Sequence, residues 1–183
     1  MEEWSSEFIP SDTLKSYLNS LRHCIQHIAF MHAHRFAHLD IAPWNILMDC
    51  AGRYAYIDYE MSRRFSQPPV EVENGGDPRS SPLIYRPKAT ELPPEVEHGH
   101  PTSPYAMDVW ALGILISKVG ILVGYDVPEL RSVVQGMLCP RWESRLTAKV
   151  ALKQFEEAIS KISEERLQSV PHTSCTMSVL QAN

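Results

Sequence analysis

The first hydrophobic pattern in the chain has the period of a helix. Its apolar residues recur at three- and four-residue spacing: Leu14, Leu18, Leu21, Ile25 and Ile28. Such positions fall on one face of an α-helix, so the pattern predicts an amphipathic helix of about five turns with a buried face. Ser11, Asp12 or Thr13 can cap its first turn through a side-chain oxygen. We expect the helix to end near residues 31–35.

The next pattern predicts a β-hairpin. Residues 46–48 and 54–59 are short β-prone runs, and the segment between them contains Gly52. A turn with glycine between two such runs is typical of a hairpin. Asn45 would stand at its entrance and Asp58 at its exit, so two oxygen-bearing side chains that are distant in sequence become neighbours.

Three stretches lack a hydrophobic period. Residues 1–10 end at Pro10 and predict an extended, hinge-like lead-in. Residues 62–95 contain clustered Pro, Gly and Ser and predict a long loop, which in a compact domain is usually functional. Residues 164–183 are mixed and polar, so we expect a disordered tail. Residues 11–163, which include the long loop, form one predicted domain.

Three further helices are predicted in the second half. The run that begins at Asp108 is apolar on nearly all sides, which is typical of a core helix. A second helix is expected from Pro128 to Leu138, and Thr147 is expected to cap a last one that ends near Ile162.

Composition narrows the class of protein. The chain has 183 residues, a net charge of −5 and four dispersed cysteines without a CxxC pair. A reduced protein of the cytoplasm or nucleus is expected, with no nucleic-acid or membrane partner and no secretion signal at its polar start. The apolar run of residues 109–123 is interrupted by Ser117 and Lys118 and is interpreted as too short to span a bilayer.

Histidines in the first helix and after it suggest a metal site. His23 and His27 lie one helical turn apart. Zinc needs three or four ligands in fixed geometry, and no cysteine or carboxylate completes the set at a suitable spacing. Ordinary surface and core histidines are the favoured interpretation.

Five short motifs follow one another in a fixed order. They are His38-Leu39-Asp40 with Asn45, Asp58-Tyr59-Glu60, Pro93-Pro94-Glu95, Asp108-x-Trp110-x-Leu112-Gly113, and Arg145-Leu146-Thr147-Ala148. In this order they resemble the C-terminal lobe of eukaryotic protein kinases. The resemblance implies a mainly α fold, a helical bundle with a small catalytic-loop β-hairpin and an activation segment over residues 58–95. It also implies that the N-terminal lobe is absent, since no GxGxxG occurs among these residues.

The resemblance also implies the chemistry of ATP- and magnesium-dependent phosphoryl transfer to protein hydroxyls, of the serine/threonine type. Asp40 would be the catalytic residue that orients the substrate hydroxyl. Asn45, Leu47 and Asp58 would contact the nucleotide, with magnesium held by Asn45 and Asp58. The resemblance further implies a structural role for His38, Glu95, Asp108 and Arg145. Of these, Glu95 and Arg145 would form an ion pair.

Three residues depart from the kinase pattern. Ala42 stands where such kinases carry a lysine near the transferring phosphate, and loss of a cation there should slow transfer. Leu39 replaces the arginine that usually pairs with a phosphorylated activation segment, and Glu60 replaces a glycine. The stretch from Asp108 to Arg145 is also shorter than in the family, so a substrate-docking helix is expected to be reduced.

Three functions therefore stay open. The first is a kinase-like phosphotransferase domain that acts on a protein substrate or with a regulatory protein. Without an N-terminal lobe, this chain alone is expected to be inactive. The second is a pseudokinase that serves as a binding module. The third is a small-molecule kinase of the aminoglycoside or choline type, against which Glu95, Trp110 and Arg145 argue.

Overall fold

Most of the described chain is helical, with the strands gathered around one loop. The computed structural model describes residues 4–5, 13–49, 54–66, 92–100 and 102–171. In these ranges the helices are α1 Leu14–Ala33, α2 Pro94–Glu97, α3 Pro104–Val123, α4 Arg131–Met137, α5 Ala148–Ile159 and α6 Glu164–Leu167. The strands are β1 Trp4–Ser5, β2 Phe36–Ala37, β3 Ile46–Asp49, β4 Tyr54–Tyr56 and β5 Arg63–Arg64.

The core is formed where α1 packs against α3 and α5. The first helix follows the predicted pattern, and Thr13 is its cap, accepting a hydrogen bond from the Ser16 amide at 3.1 Å. The side chains of Leu21, Ile25 and Ile28 are fully buried in this core. Each such side chain stabilises the fold by about 1.5–3 kcal/mol through removal of apolar area from water.

The central helix α3 begins at Pro104, four residues before the predicted start at Asp108. Proline is favoured in the first turn because its missing N–H would have no partner there. Its C-cap is Gly124 at φ 74°, a left-handed conformation that suits glycine. By length and hydropathy this helix could cross a bilayer, contrary to the interpretation of its apolar run as too short. However, 61% of residues 104–121 are buried inside the protein, as in a core helix.

The predicted hairpin is present, with two differences. Strand β4 ends at Tyr56, and the segment after it leaves the sheet because Asp58 has a left-handed backbone at φ 59°. Strand β1 adds to the other side of β3, pairing Trp4 with Asp49. The sheet order is therefore β1-β3-β4, and a separate pair, β2 with β5, was not predicted.

The C-terminal stretch corrects the expected boundary of the tail. Residues 164–171 are described and contain α6, which Ser163 caps. This segment is tied to the rest of the chain because Arg166 pairs with Glu129 and the Leu14 amide donates to the Ser169 carbonyl at 2.9 Å. Most of the predicted loop, residues 67–91, and the tail beyond residue 171 lie outside the described residues.

Candidate active site

The loop that carries the first motif is built around the carboxylate of Asp108. This side chain is 1% exposed, and it accepts hydrogen bonds from the backbone amides of His38 at 2.7 Å and Leu39 at 2.8 Å. The Nε2–H of buried His32 donates to it at 2.9 Å. Three donors therefore satisfy one buried charge, which fixes the loop to the core helix α3.

Asn45 and Asp40 are joined directly. The Asn45 Nδ2 group donates to the Asp40 carbonyl at 2.9 Å and to Asp40 Oδ2 at 3.0 Å. Both residues are buried, and Asn45 ends a 3₁₀ turn, Pro43–Asn45, that carries the chain from the loop into β3. Because both amide hydrogens of Asn45 point at Asp40, the orientation of the carboxylate is set before any ligand binds.

Asp58 is brought next to this pair by the backbone. The Ile57 amide donates to the Asn45 carbonyl at 2.9 Å, so the residue that precedes Asp58 is bonded to the loop. The left-handed backbone of Asp58 then turns the chain into the 3₁₀ turn Tyr59–Met61. Its carboxylate is exposed and has no hydrogen bond or ion pair to any residue that the structure describes. A strained backbone and an unpaired acid are typical of a functional position.

Two neighbours hold the segment that carries Asp58. The Tyr59 hydroxyl and His27 Nε2 lie 3.1 Å apart, and the Ser62 hydroxyl donates to the His38 carbonyl at 3.2 Å. The ring of His38 is buried between Tyr56 and Tyr59, 5.3 Å and 5.0 Å from their centroids. Burial lowers the pKa of His38, against the opposing effects of Asp108 and Asp40, so the imidazole is neutral at pH 7.

A magnesium ion at this loop would have few protein ligands. Among the described residues, no three His, Cys, Asp or Glu side chains are grouped for a metal. The available oxygens come from Asp58 and from the carbonyl group of the Asn45 side chain. Magnesium in phosphate-transfer sites is held in this way, by one or two protein groups with phosphate and water completing the octahedron. Leu47, predicted to contact a nucleotide, is half-buried on β3 opposite Ala55.

The ion pair predicted between Glu95 and Arg145 is present and buried. It is bidentate, with both N–O distances at 2.9 Å. Arg145 also donates to the Ala106 carbonyl at 2.9 Å and lies 4.9 Å over the ring of Trp110, while the Thr102 hydroxyl donates to Glu95 at 3.0 Å. This network fastens α2 to the core, about 50 residues away in sequence.

The departures from the kinase pattern have clear structural counterparts. Leu39, with its backbone at φ 67°, is buried in a small apolar cluster with Ala37, Tyr105 and Met107. An apolar environment of this kind does not provide the charge pairing that an arginine would give to a phosphate. Ala42 is also buried, so its position contributes no cation to the site.

Sequence reasoning missed the partners that orient the motif residues. These are His32 against Asp108, Thr102 against Glu95, Ser62 against the loop carbonyl, and His27 against Tyr59. None stands at a spacing that predicts its contact. The two histidines suggested as zinc ligands instead stack on tyrosines, His23 on Tyr54 and His27 on Tyr56.

Comparison with known proteins gives one informative relative. Cyclin-dependent kinase 2 of Caenorhabditis elegans is 27% identical over 119 residues, which cover 65% of this chain and 29% of the nematode protein. It is one of 34 curated proteins with a significant match, while no protein-family model matches the chain. The identity supports a distant protein-kinase-like relationship. The mostly helical fold is compatible with a kinase C-terminal lobe.

Proposed function

We propose that this chain is a protein-kinase-like domain that holds the magnesium- and hydroxyl-binding half of a site for ATP-dependent phosphoryl transfer to protein hydroxyls. The observation that supports this most strongly is the Asn45–Asp40 pair, with Asp58 attached beside it through the Ile57 amide. A buried, hydrogen-bonded acid next to an exposed, unpaired one is an arrangement that suits orienting a hydroxyl and holding a cation.

In this proposal the Asp40 carboxylate orients the substrate hydroxyl and accepts its hydrogen. Asp40 Oδ2 is occupied by the Asn45 amide, and Oδ1 accepts no hydrogen bond from the described residues. Oδ1 is therefore the atom that would accept the hydrogen of a substrate hydroxyl. Neutral His38 supports the loop from behind, its Nδ1 accepting from the Asp40 amide at 3.3 Å.

The cofactors of the proposal are ATP and magnesium. Asn45 and Asp58 would hold the metal, and Leu47 would contact the nucleotide from β3. When bound, the metal neutralises charge on the phosphate oxygens. The match covers 29% of the length of the curated relative, so the activity of a whole kinase, a protein substrate or regulator, and a cytoplasmic or nuclear location are proposals for this chain.

A second candidate is a pseudokinase that acts as a binding module. Burial of Leu39 and Ala42 favours it, because these two positions supply no cation to a phosphorylated segment or to a transferring phosphate. A small-molecule kinase is disfavoured by the buried Glu95–Arg145 network, which holds α2 at the end of the predicted activation segment.

The test is the thermal stability of the chain in millimolar Mg·ATP. We expect a small rise in Tm, because binding to the native state stabilises it in proportion to occupancy and one half-site binds weakly. Asp58→Ala should abolish the rise, while the control Glu157→Ala, at an exposed position of α5, should keep it. Identical curves with and without Mg·ATP for the wild type would favour the binding module.

A further inference from the structure

Three exposed aromatic side chains gather on one side of the molecule. Phe30, Phe36 and Tyr59 are 62%, 40% and 43% exposed, among seven large hydrophobic residues that are exposed in the described part of the chain. All three line one groove of about 520 Å³, which we call the aromatic groove; its other lining residues are Met31, His34 and Ser62. Exposed apolar residues scattered singly are ordinary, but a contiguous set in a groove marks a binding surface.

Contacts of the lining side chains fix the walls of the groove. The rings of Phe30 and His34 are 4.2 Å apart, and His34 Nδ1 bonds the Phe30 carbonyl at 2.8 Å. Another lining residue, Tyr59, is held by a hydrogen bond between its hydroxyl and the His27 ring. These contacts fix the walls without covering the apolar faces. Binding of a partner would therefore cost little conformational entropy in the side chains of the groove.

The residues beside Phe36 and beside Tyr59 differ in charge. In the β2–β5 pair Phe36 lies opposite Arg64, so both side chains leave the same face of the ribbon. Arg64 is exposed and has no ion pair with a carboxylate of the described residues, and Arg35 adjoins Phe36 in sequence. Tyr59 directly follows Asp58, which is exposed. An acidic group is thus attracted toward Phe36 and repelled from Tyr59.

We propose that the aromatic groove binds an amphipathic segment of a partner protein. Its apolar side chains lie against Phe30, Phe36 and Tyr59, and a carboxylate next to them pairs with Arg64. Apolar side chains entering a preformed aromatic groove, oriented by a charge at the rim, are a common mode of peptide recognition. The net charge of −5 favours a peptide over a nucleic acid. This inference does not depend on phosphoryl transfer.

The test uses three labelled synthetic peptides and fluorescence anisotropy with the whole chain. Two are leucine-faced helical peptides that differ only in a Glu or a Lys beside the apolar face, and the third has its leucines replaced by serine. We expect the Glu peptide to bind about three- to fivefold more tightly than the Lys peptide, since an exposed charge pair contributes up to about 1 kcal/mol. The serine peptide should not bind.

Variants locate the binding. Phe30→Ser and Phe36→Ser should weaken the Glu peptide at least about tenfold through loss of apolar contact. Arg64→Glu should reverse the preference toward the Lys peptide, while the matched control Arg131→Glu, at an exposed position of α4, should not. Equal binding of both peptides, an unchanged preference in Arg64→Glu, or no binding by any peptide would overturn the proposal. A dimer of the free chain that Phe36→Ser dissociates would identify a second copy as the occupant instead.

Discussion

At the scale of single residues, Asp108 sets the geometry of the site more than any residue that would touch a ligand. Its carboxylate accepts two backbone amides of the His38–Leu39 loop and the imidazole N–H of His32. A carboxylate offers only acceptors, whereas an amide side chain places a donor where donors already point. The position of Asp40 therefore depends on a residue about 70 positions away.

Asp108→Asn should lower the free energy of unfolding by about 3 kcal/mol, because at least one buried donor loses its acceptor and another faces a like group. Urea denaturation measures the loss. Asp126→Asn serves as the control, since the Asp126 side chain is exposed and, among the described residues, its carboxylate pairs with exposed Arg131. A loss no larger than that of the control would show that the loop does not depend on this carboxylate.

His38 predicts a dependence of stability on pH. Burial lowers its pKa in the folded chain, so the unfolded chain binds a proton at a pH where the folded chain does not. Stability is unaffected well above the ordinary histidine pKa of about 6.5 and falls as the pH drops below it. His27, also lowered by burial, adds to the effect in the same direction.

Denaturation between pH 7.5 and 5.5 should therefore give a lower free energy of unfolding at the acid end. His38→Gln should reduce this slope by up to one proton, about 1.4 kcal/mol per pH unit. A matched His100→Gln variant, which alters an exposed ring, should retain the slope. An undiminished slope in His38→Gln would contradict a neutral, buried His38.

At the scale of elements, the structure depends on links between segments that are far apart in sequence. Helix α2 is only four residues long and does not hold itself in place. Its Glu95 is fixed to Arg145, which in turn contacts the Ala106 carbonyl of α3 and the Trp110 ring. The end of the predicted activation segment is thus held by one buried charge pair.

Arg145→Met should destabilise the chain by about 3–5 kcal/mol, because Glu95 is left charged and buried without its partner. The double variant Glu95→Gln with Arg145→Met should recover part of this loss, since it removes the uncompensated charge. Urea denaturation of Arg145→Met, Glu95→Gln and the double variant gives the comparison. If the double variant is as unstable as the sum of the two single ones, the two residues do not act as a pair.

The sequence anticipated those elements whose patterns are local. The period of α1 and the cap of α5 at Thr147 follow from the sequence, whereas Thr13 is one of three residues that could have capped α1. The β2–β5 pair was not predicted, because two-residue strands carry no period. Helix α6 was missed because it is held by distant contacts, such as Arg166 with Glu129, and not by its own composition.

At the scale of the whole molecule, the motif order anticipated which residues would meet but not how. The pairing of Glu95 with Arg145 is implied by the resemblance, whereas the hydrogen bonds from Asn45 to Asp40 were not predicted. The bonds through His32, Thr102 and Ser62 could not, since each depends on the three-dimensional path of the chain. The roles proposed for Asp40, Asn45 and Asp58 stay predictions.

The whole molecule also separates two surfaces. One carries Asp40, Asn45 and Asp58, where the proposed cation and hydroxyl would meet. The other is the aromatic groove, which adjoins it through Tyr59 and is apolar where the first is acidic. A partner in the groove would therefore lie beside the segment that carries Asp58.

The central claim, that Asn45 and Asp58 form a cation site, is tested most directly by Mn²⁺ titration of the ¹⁵N-labelled chain. Paramagnetic broadening of amide signals should begin at Asn45, Ile57 and Asp58, should be displaced by excess Mg²⁺, and should be lost in Asp58→Ala. The control variant His23→Gln, which alters an exposed ring, should leave it unchanged. Broadening that persists in Asp58→Ala, or that disappears in His23→Gln, would contradict the account.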